Sequence, residues 1–288
     1  MLITVASGKG GTGKTLIATS LAISLKNTYP VKLLDCDVEE PNDYIFLKPV
    51  ITGNDPVSIC VPVINEQICD FCGKCAAICA YKALAIWGKQ VMIFPELCHG
   101  CGACSYLCPR KAISEQPRII GAVESGYSGK ICFVQGRLIV GEAMSPPVIR
   151  KVKSHADKNA INIIDAPPGT ACPVITAVKD SDFCLLVTEP TPFGLNDLTL
   201  AVNVLKRLEI PCGVVINRNL GLRNEIEDYC QKAGIPVLLK IPLNAEIARL
   251  YSRGITLVEG MPEWQKVFIE LFQRIQGIVY EGNSNTEW

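Results

Sequence analysis

The sequence lacks any apolar run of about 18 residues, the length a membrane-spanning helix requires, so no transmembrane segment is expected. It lacks a charge excess of either sign. Lys and Arg total 28, Asp and Glu total 28, and the 288 residues carry a formal net charge of zero. Such a chain has no general electrostatic pull on polyanions, so no nucleic-acid partner is expected. Also missing are a catalytic triad and a dinucleotide fingerprint, which leaves no motif for a carbon substrate. Met1-Leu2-Ile3-Thr4-Val5-Ala6 leads directly into strand-like sequence without the basic n-region and cleavage site of a secretory signal. A cytoplasmic location is expected.

Cysteine is the opposite case, with 15 residues. A disulfide scaffold is typically short and secreted, whereas this chain is long enough, at 49% hydrophobic, to bury an ordinary core. Thiols in a reducing compartment point to metal ligation. Their spacing agrees. Cys69-x2-Cys72-x2-Cys75-x3-Cys79 recurs 29 residues later as Cys98-x2-Cys101-x2-Cys104-x3-Cys108. Each copy runs on into Lys-Ala and an apolar residue, Lys82-Ala83-Leu84 and Lys111-Ala112-Ile113. This is the bacterial ferredoxin pattern, in which the fourth cysteine of each run ligates the other cluster. The spacing therefore assigns Cys69, Cys72, Cys75 and Cys108 to one [4Fe–4S] cluster, and Cys98, Cys101, Cys104 and Cys79 to a second. Zinc modules use two-plus-two pairs instead. Pro109 follows the second run but Ala80 follows the first, which is expected to loosen the chain at Cys79. His99 is read as a surface residue tuning local electrostatics.

Around this segment the chain reads as alternating strands and helices. Leu2–Ala6 and Val31–Asp35 flank a helical stretch from Gly13 to Lys26, with Leu16, Ile17, Leu21 and Leu25 at helical spacing. Further on, Ile161–Asp165, Phe183–Thr188, Cys212–Asn217 and Val237–Ile241 read as interior parallel strands of βαβ units. The fold expected is α/β, a mostly parallel sheet flanked by helices, with a small α+β ferredoxin-like domain inserted. The boundaries expected are 1–59 and 118–288 for the two parts of the larger domain and 60–117 for the insert. Trp264, Val267, Phe268, Leu271, Phe272, Ile275, Ile278 and Val279 form one helical face, read as sealing the core, with no stable membrane association expected. The polar tail after Tyr280 is expected to fray.

Gly8-Lys9-Gly10-Gly11-Thr12-Gly13-Lys14-Thr15 matches G-x-x-x-x-G-K-[ST] between a strand and a helix. Its backbone N–H groups are expected to cradle phosphates, with Lys14 reaching the β- and γ-phosphates of ATP and Thr15 ligating Mg²⁺. Asp35-Cys36-Asp37 and Asp165-Ala166-Pro167-Pro168-Gly169-Thr170 each end a strand at the side where ligands bind in such sheets.

Lys9-Gly10-Gly11-Thr12-Gly13-Lys14-Thr15 is similar to the deviant phosphate loop of the ParA/MinD/nitrogenase-iron-protein superfamily, including its extra lysine, Lys9. The resemblance implies a P-loop ATPase that dimerises, as a homodimer or with a related chain, Lys9 crossing the interface to the partner's nucleotide. It further implies that Asp37 positions the attacking water and that Asp35 and Asp165 lie near Mg²⁺ through water. It places Gly169 in the second switch, and gives Asn217 and Pro242 to the adenine pocket. Cys172, seven residues beyond Asp165, resembles the cysteine with which the nitrogenase iron protein holds an interfacial cluster; Cys132 is its candidate companion. The C-terminal C-x-x-C of the Mrp/ApbC-type carriers is absent. The whole resembles MinD-superfamily ATPases with an inserted ferredoxin domain, some of which pair with small metal-cluster-binding proteins. Three functions follow as expectations: ATP-gated electron supply to metal-cofactor assembly, delivery of a cluster, or a positioning switch with redox sensing. The insert lies between Asp37 and Asp165, so both of its ends enter the half that carries the switches.

Overall fold

The computed structural model describes residues 1–221 and 225–284. The first half comprises β1 (Leu2–Ala6), α1 (Lys14–Leu25), β2 (Val31–Asp35), α2 (Asp43–Leu47), β3 (Val50–Ile64), α3 (Lys74–Ile78), β4 (Leu84–Trp87), β5 (Gln90–Ile93), α4 (Ala103–Tyr106), β6 (Ile113–Ser128) and β7 (Ile131–Leu138). The second comprises α5 (Pro146–Lys153), β8 (Ile161–Asp165), α6 (Cys172–Val178), β9 (Phe183–Thr188), α7 (Pro192–Arg207), β10 (Cys212–Asn219), α8 (Glu225–Ala233), β11 (Val237–Pro242), α9 (Ala245–Ser252), α10 (Leu257–Gly260) and α11 (Trp264–Ser284). The four residues after Ser284 lie outside the described residues, and α11 continues past Tyr280, where fraying was expected.

Nine of the described strands form one sheet in the order β11-β10-β9-β1-β8-β2-β7-β6-β3. Neighbours from β11 to β7 run parallel, and β7-β6-β3 is antiparallel. The central parallel strands β1, β2, β8 and β9 are buried on both faces, which is why they read as unbroken apolar runs. On one face α1, α10 and α11 pack through Leu16, Ile17, Leu21, Leu257, Phe268, Leu271 and Phe272. On the other, α5 to α8 pack through Val148, Val174, Leu198, Val202 and Ile226. The apolar face read for α11 is thus a core face, sealed against α1, with Phe268, Leu271, Phe272 and Ile275 buried. No helix among the described residues is long and apolar enough to cross a membrane.

Two readings of the sequence change. β11 is an edge strand rather than an interior one. The stretches 60–64 and 113–117 are the ends of β3 and β6, a long antiparallel ribbon paired from Val50↔Tyr127 to Ile64↔Ile113 that belongs to the main sheet. The cysteine-dense segment is therefore carried at the tip of this ribbon. There β4 and β5 form a hairpin turning at Gly88, and the short helices α3 and α4 lie within the two cysteine runs, carrying Cys75 and Cys104.

Candidate functional site

The phosphate loop links β1, in the middle of the sheet, to α1. The loop turns through Gly13 with φ +98°, a left-handed conformation for which glycine is favoured, and a Cβ there would lie 2.4 Å from Asn217 Nδ2. That amide donates to Thr12 O at 2.8 Å, while Arg218 N donates to Asn217 Oδ1 at 2.9 Å. Asn217, expected at the adenine, thus has its amide committed to bracing the phosphate loop from the end of β10. Gly8 lies so close to α7 that a Cβ would meet Asp197 O at 2.4 Å. Lys14 and Thr15 are buried, and the Thr12 hydroxyl is buried without a partner. A closed loop with an orphaned donor and a buried ammonium fits a phosphate chain.

Facing this loop is a set of carboxylates fixed by sheet register. Asp35 on β2 pairs directly with Asp165 on β8, and Asp165 is level with Val5 on β1. Asp35 accepts N–H groups of Asp37, Asn42 and Asp43 at 3.1, 3.1 and 3.2 Å. Thr15 Oγ1 donates to Asp165 Oδ2 at 2.6 Å and lies 2.8 Å from Asn42 Oδ1. Asp43, in the first turn of α2, is fully buried with both carboxylate oxygens unpartnered, as is Asp165 Oδ1. Burial raises the pKa of all four acids. Asp165 rises to about 7, burial outweighing the nearby Lys14 ammonium and the Thr15 hydroxyl. Asp37 rises to about 6, chiefly by burial, again opposed by Lys14. Asp35 and Asp43 lie well above the ordinary range, first from burial, then from the facing carboxylates. Crowded acids with orphaned oxygens beside a threonine hydroxyl suit a hydrated divalent cation. Asn42 and Asp43 were not found from the sequence, because no motif spacing marks them; only their position just after Asp35-Cys36-Asp37 hints at them.

Lys9 Nζ is held by Glu189 Oε2 at 3.3 Å, and Glu189 Oε1 accepts from Arg218 at 2.5 Å. Glu189, at the C-terminal end of β9, and Arg218 were also missed. A pocket of about 250 Å³ lies between the loop and the start of α9, lined by Gly11, Gly13, Leu16, Asn217, Pro242 and Tyr251 among others. It is base-sized and includes both residues expected at adenine. A larger cleft, about 560 Å³, opens on the other side, walled by Asp37, the 138–142 segment, Pro167, Pro168, Ala171 and Pro173. Gly169 is tied in by its N–H to Ser7 O at 3.0 Å. Cys172 begins α6 beside this cleft and is exposed. Cys132 is level with Lys32 near the start of β2, at the opposite end of the strands from the aspartates, so the structure does not bring it to Cys172.

The two cysteine runs have matching local geometry. Phe71 and Gly100 N–H donate to Cys69 and Cys98 Sγ, each at 3.4 Å, and Ala83 and Ala112 N–H donate to Cys79 and Cys108 Sγ, each at 3.3 Å. Cys75 lies near Cys69 and Cys72, and Cys104 near Cys98 and Cys101, since each pair contributes to raising its neighbour's pKa after burial itself. Cys79 does not stay with its own run: it lines one small cavity together with Cys98, Cys101 and Cys104. Stacking of Tyr81 on His99, ring centroids 3.4 Å apart, ties the two repeats together here, so His99 packs instead of facing solvent freely. Among the described residues no group of three or more His, Cys, Asp or Glu side chains converges on a single metal ion. A four-iron cluster distributes its thiolates over separate irons, and backbone N–H···S bonds with a shared cavity fit that kind of group.

A phosphate loop between a central parallel strand and a buried helix, faced by aspartates at the ends of adjacent strands, defines a P-loop nucleotide-binding α/β protein. Residues 3–258 match the model of the CobQ/CobB/MinD/ParA nucleotide binding domain, and the chain belongs to that family. It is 32% identical over 283 residues to the uncharacterized protein MJ0578 of Methanocaldococcus jannaschii, covering 97% of this chain and 98% of the relative. It is 26% identical over 298 residues to the iron-sulfur cluster carrier protein of Pyrococcus horikoshii, covering 95% and 84%. Its fold is similar to that of the septum site-determining protein MinD with Mg-ADP from Pyrococcus horikoshii, with a TM-score of 0.60, 20% identity and coverage of 96% and 97%.

Proposed function

We propose that the chain hydrolyses ATP with Mg²⁺ and couples nucleotide state to two [4Fe–4S] clusters held in a ferredoxin-like insert, supplying electrons to metal-cofactor or cluster assembly. The observation that carries the iron–sulfur half is the cavity that gathers Cys79 with Cys98, Cys101 and Cys104. That crossing of repeats is the arrangement ferredoxin spacing calls for. Cys69, Cys72, Cys75 and Cys108 would hold the first cluster, and Cys98, Cys101, Cys104 and Cys79 the second. When bound, such clusters supply one-electron transfer.

On the nucleotide side, the loop from Gly8 to Thr15 binds the phosphates of ATP. Lys14 neutralises charge on the β- and γ-phosphates, and Thr15 with water held by Asp35, Asp43 and Asp165 would carry Mg²⁺, which offsets phosphate charge. Asp37 stands on the cleft side, where it orients the attacking water. Lys9 leaves Glu189 when a second copy, or a related chain, docks and offers its nucleotide. Pro242 and Tyr251 close the base pocket. A small metal-cluster protein is the partner the cleft side would serve.

A second reading, delivery of a cluster, is favoured by the name of the Pyrococcus horikoshii relative. A positioning switch is the least supported of the three, since α11 spends its apolar face on the core. The test is anaerobic MgATP turnover of the reduced protein with desalted extract, followed by iron counting and electron paramagnetic resonance. Retention of about eight irons per chain with ATP-dependent loss of the reduced signal supports electron supply. ATP-dependent loss of iron to the extract supports delivery instead, and absence of iron from the anaerobically prepared protein overturns both.

A further inference from the structure

Two repeats account for eight cysteines, yet the cavity that gathers Cys79, Cys98, Cys101 and Cys104 is also lined by Cys60, which belongs to neither. Cys60 stands on β3, the edge strand of the sheet. Val57, Ile59 and Val61 turn to the core there, and strand alternation sends Cys60 and Pro62 to the opposite face. Glu115, paired with Pro62 across the ribbon, shares that face, and Pro62 and Glu115 line the same cavity. The second cysteine run is pressed onto the strand at this point. A Cβ on Gly100 would lie 3.2 Å from Cys60 O and 3.5 Å from Cys60 N. Ile59 Cβ is equally close at 3.2 Å, and since Gly100 sits between Cys98 and Cys101, the strand backbone at Cys60 lies beside the loop that carries both.

The five thiols are not equivalent. Cys98 and Cys104 are buried, and Cys98 Sγ accepts the Gly100 N–H at 3.4 Å. Cys79 arrives from the other repeat, at an extended residue that ends α3 (ψ 104°). It is followed by Ala80 where the second repeat has Pro109. Replacing a fixed φ by a free one leaves that connection the softer of the two.

We propose that Cys60 is an exchangeable fifth thiolate of the second cluster site, able to replace Cys79 as its fourth ligand. The inference rests on the iron–sulfur reading above. In the exchange the Cys60 thiol gives up its proton as its sulfur bonds to iron. The Cys79 sulfur takes up a proton as its bond to the same iron breaks. Ligand number and iron oxidation state stay constant. The exchange uncouples the two repeats without baring an iron.

The test is iron content and the electron paramagnetic resonance spectrum of the reduced, full-length protein in wild type, Cys60→Ala, Cys79→Ala and the double variant. Each single variant is expected to keep about eight irons per chain and the double variant about four, with an altered second-cluster signal in Cys79→Ala. A fall to about four irons in Cys79→Ala alone overturns the proposal, as does full retention in the double variant. Wild type that forms no cluster at all removes the underlying reading instead. Slow alkylation of cluster-loaded wild type, read by mass spectrometry, needs no substitution. Any one chain should then be modified at Cys60 or at Cys79, but not at both while its iron is kept. Chains modified at both with full iron, or lasting protection of Cys79 beside complete modification of Cys60, overturn the exchange.

Discussion

Asp165→Asn should stabilise the nucleotide-free protein, and only above the acid range. Asp165 is fully buried, and its pKa rises from 3.8 to about 7 because burial outweighs the help of Lys14 and Thr15. Below the unfolded value of 3.8 both folded and unfolded chains carry the proton, and the site costs nothing. As pH rises from there to about 7 the unfolded chain ionises while the folded one resists, so the folded state binds more protons and loses stability. At about 1.4 kcal/mol per pH unit, the cost by neutral pH is on the order of 4 kcal/mol. That is an upper bound for the gain on substitution, because Asp35 lies beside Asp165 in register and relaxes when the charge is removed. Asparagine keeps the shape and an oxygen for the Thr15 hydroxyl. Urea unfolding with chelator and without nucleotide, at about pH 4.5 and about pH 7.5, reads the difference directly. The variant should exceed wild type by only about 1 kcal/mol at the lower pH, just above the unfolded pKa, and by a few kcal/mol at the higher one. With MgATP the order should reverse, since on the proposed reading the wild-type carboxylate then helps hold the cation. Equal differences at both pH values, or a less stable variant at neutral pH, would refute the buried-charge argument.

Three further outcomes follow from single contacts. Gly13→Ala forces a side chain into a left-handed residue at φ +98° and against Asn217 Nδ2; about 1–2 kcal/mol of stability should be lost in urea titrations, and nucleotide affinity should fall about tenfold or more by calorimetry. Glu189→Gln releases Lys9, which is about one-third exposed, so stability should change by less than about 1 kcal/mol while acetylation of Lys9, followed by mass spectrometry, becomes faster. Phe272→Ala removes a fully buried ring that meets Tyr29 edge-on at 5.3 Å, and should cost about 3–5 kcal/mol by denaturant unfolding without altering nucleotide affinity at saturating stability.

The parallel strands and phosphate loop were legible because each is a local signal. Ile161–Asp165 and Phe183–Thr188 are short apolar runs whose burial on both faces leaves no other reading. The ribbon of β3 and β6 was not legible. Its partners lie on either side of the cysteine segment, and Gly53, Pro56 and Pro117 interrupt it with residues that ordinarily mark turns. Taking Cys60 and Pro117 as boundaries therefore cut through two paired strands. At the site, Asp35, Asp37 and Asp165 announce themselves by ending apolar runs. Asp43 starts a five-residue helix and reaches the cluster only because Asp35 accepts the N–H groups of residues 42 and 43. Glu189 and Arg218 are brought to Lys9 by neighbouring strands far apart in sequence, which no spacing rule encodes.

The ribbon also offers a physical route between the nucleotide and the cysteines. Arg118, on β6, makes a two-pronged ion pair with Glu142, its Nη2 donating to Oε2 at 2.9 Å. Glu142 belongs to the segment that walls the cleft shared with Asp37 and Pro167. Toward the other side Arg118 lies near Glu96 and Cys98, which add to its raised pKa after its dominant hydrogen bond to Glu142. Its Nε is buried without a partner. On the proposed reading, a shift of the cleft wall on nucleotide binding would pull, through this ion pair, on the strand that leads to the second cysteine run. Hydrogen exchange measured with and without a non-hydrolysable ATP analogue tests this. Wild type should change protection in residues 96–104 as well as at the phosphate loop, whereas Glu142→Gln should keep the change at the loop and lose it in 96–104. Equal responses of the two proteins in 96–104 would show that the ion pair is a static brace and that coupling, if it exists, runs through the sheet.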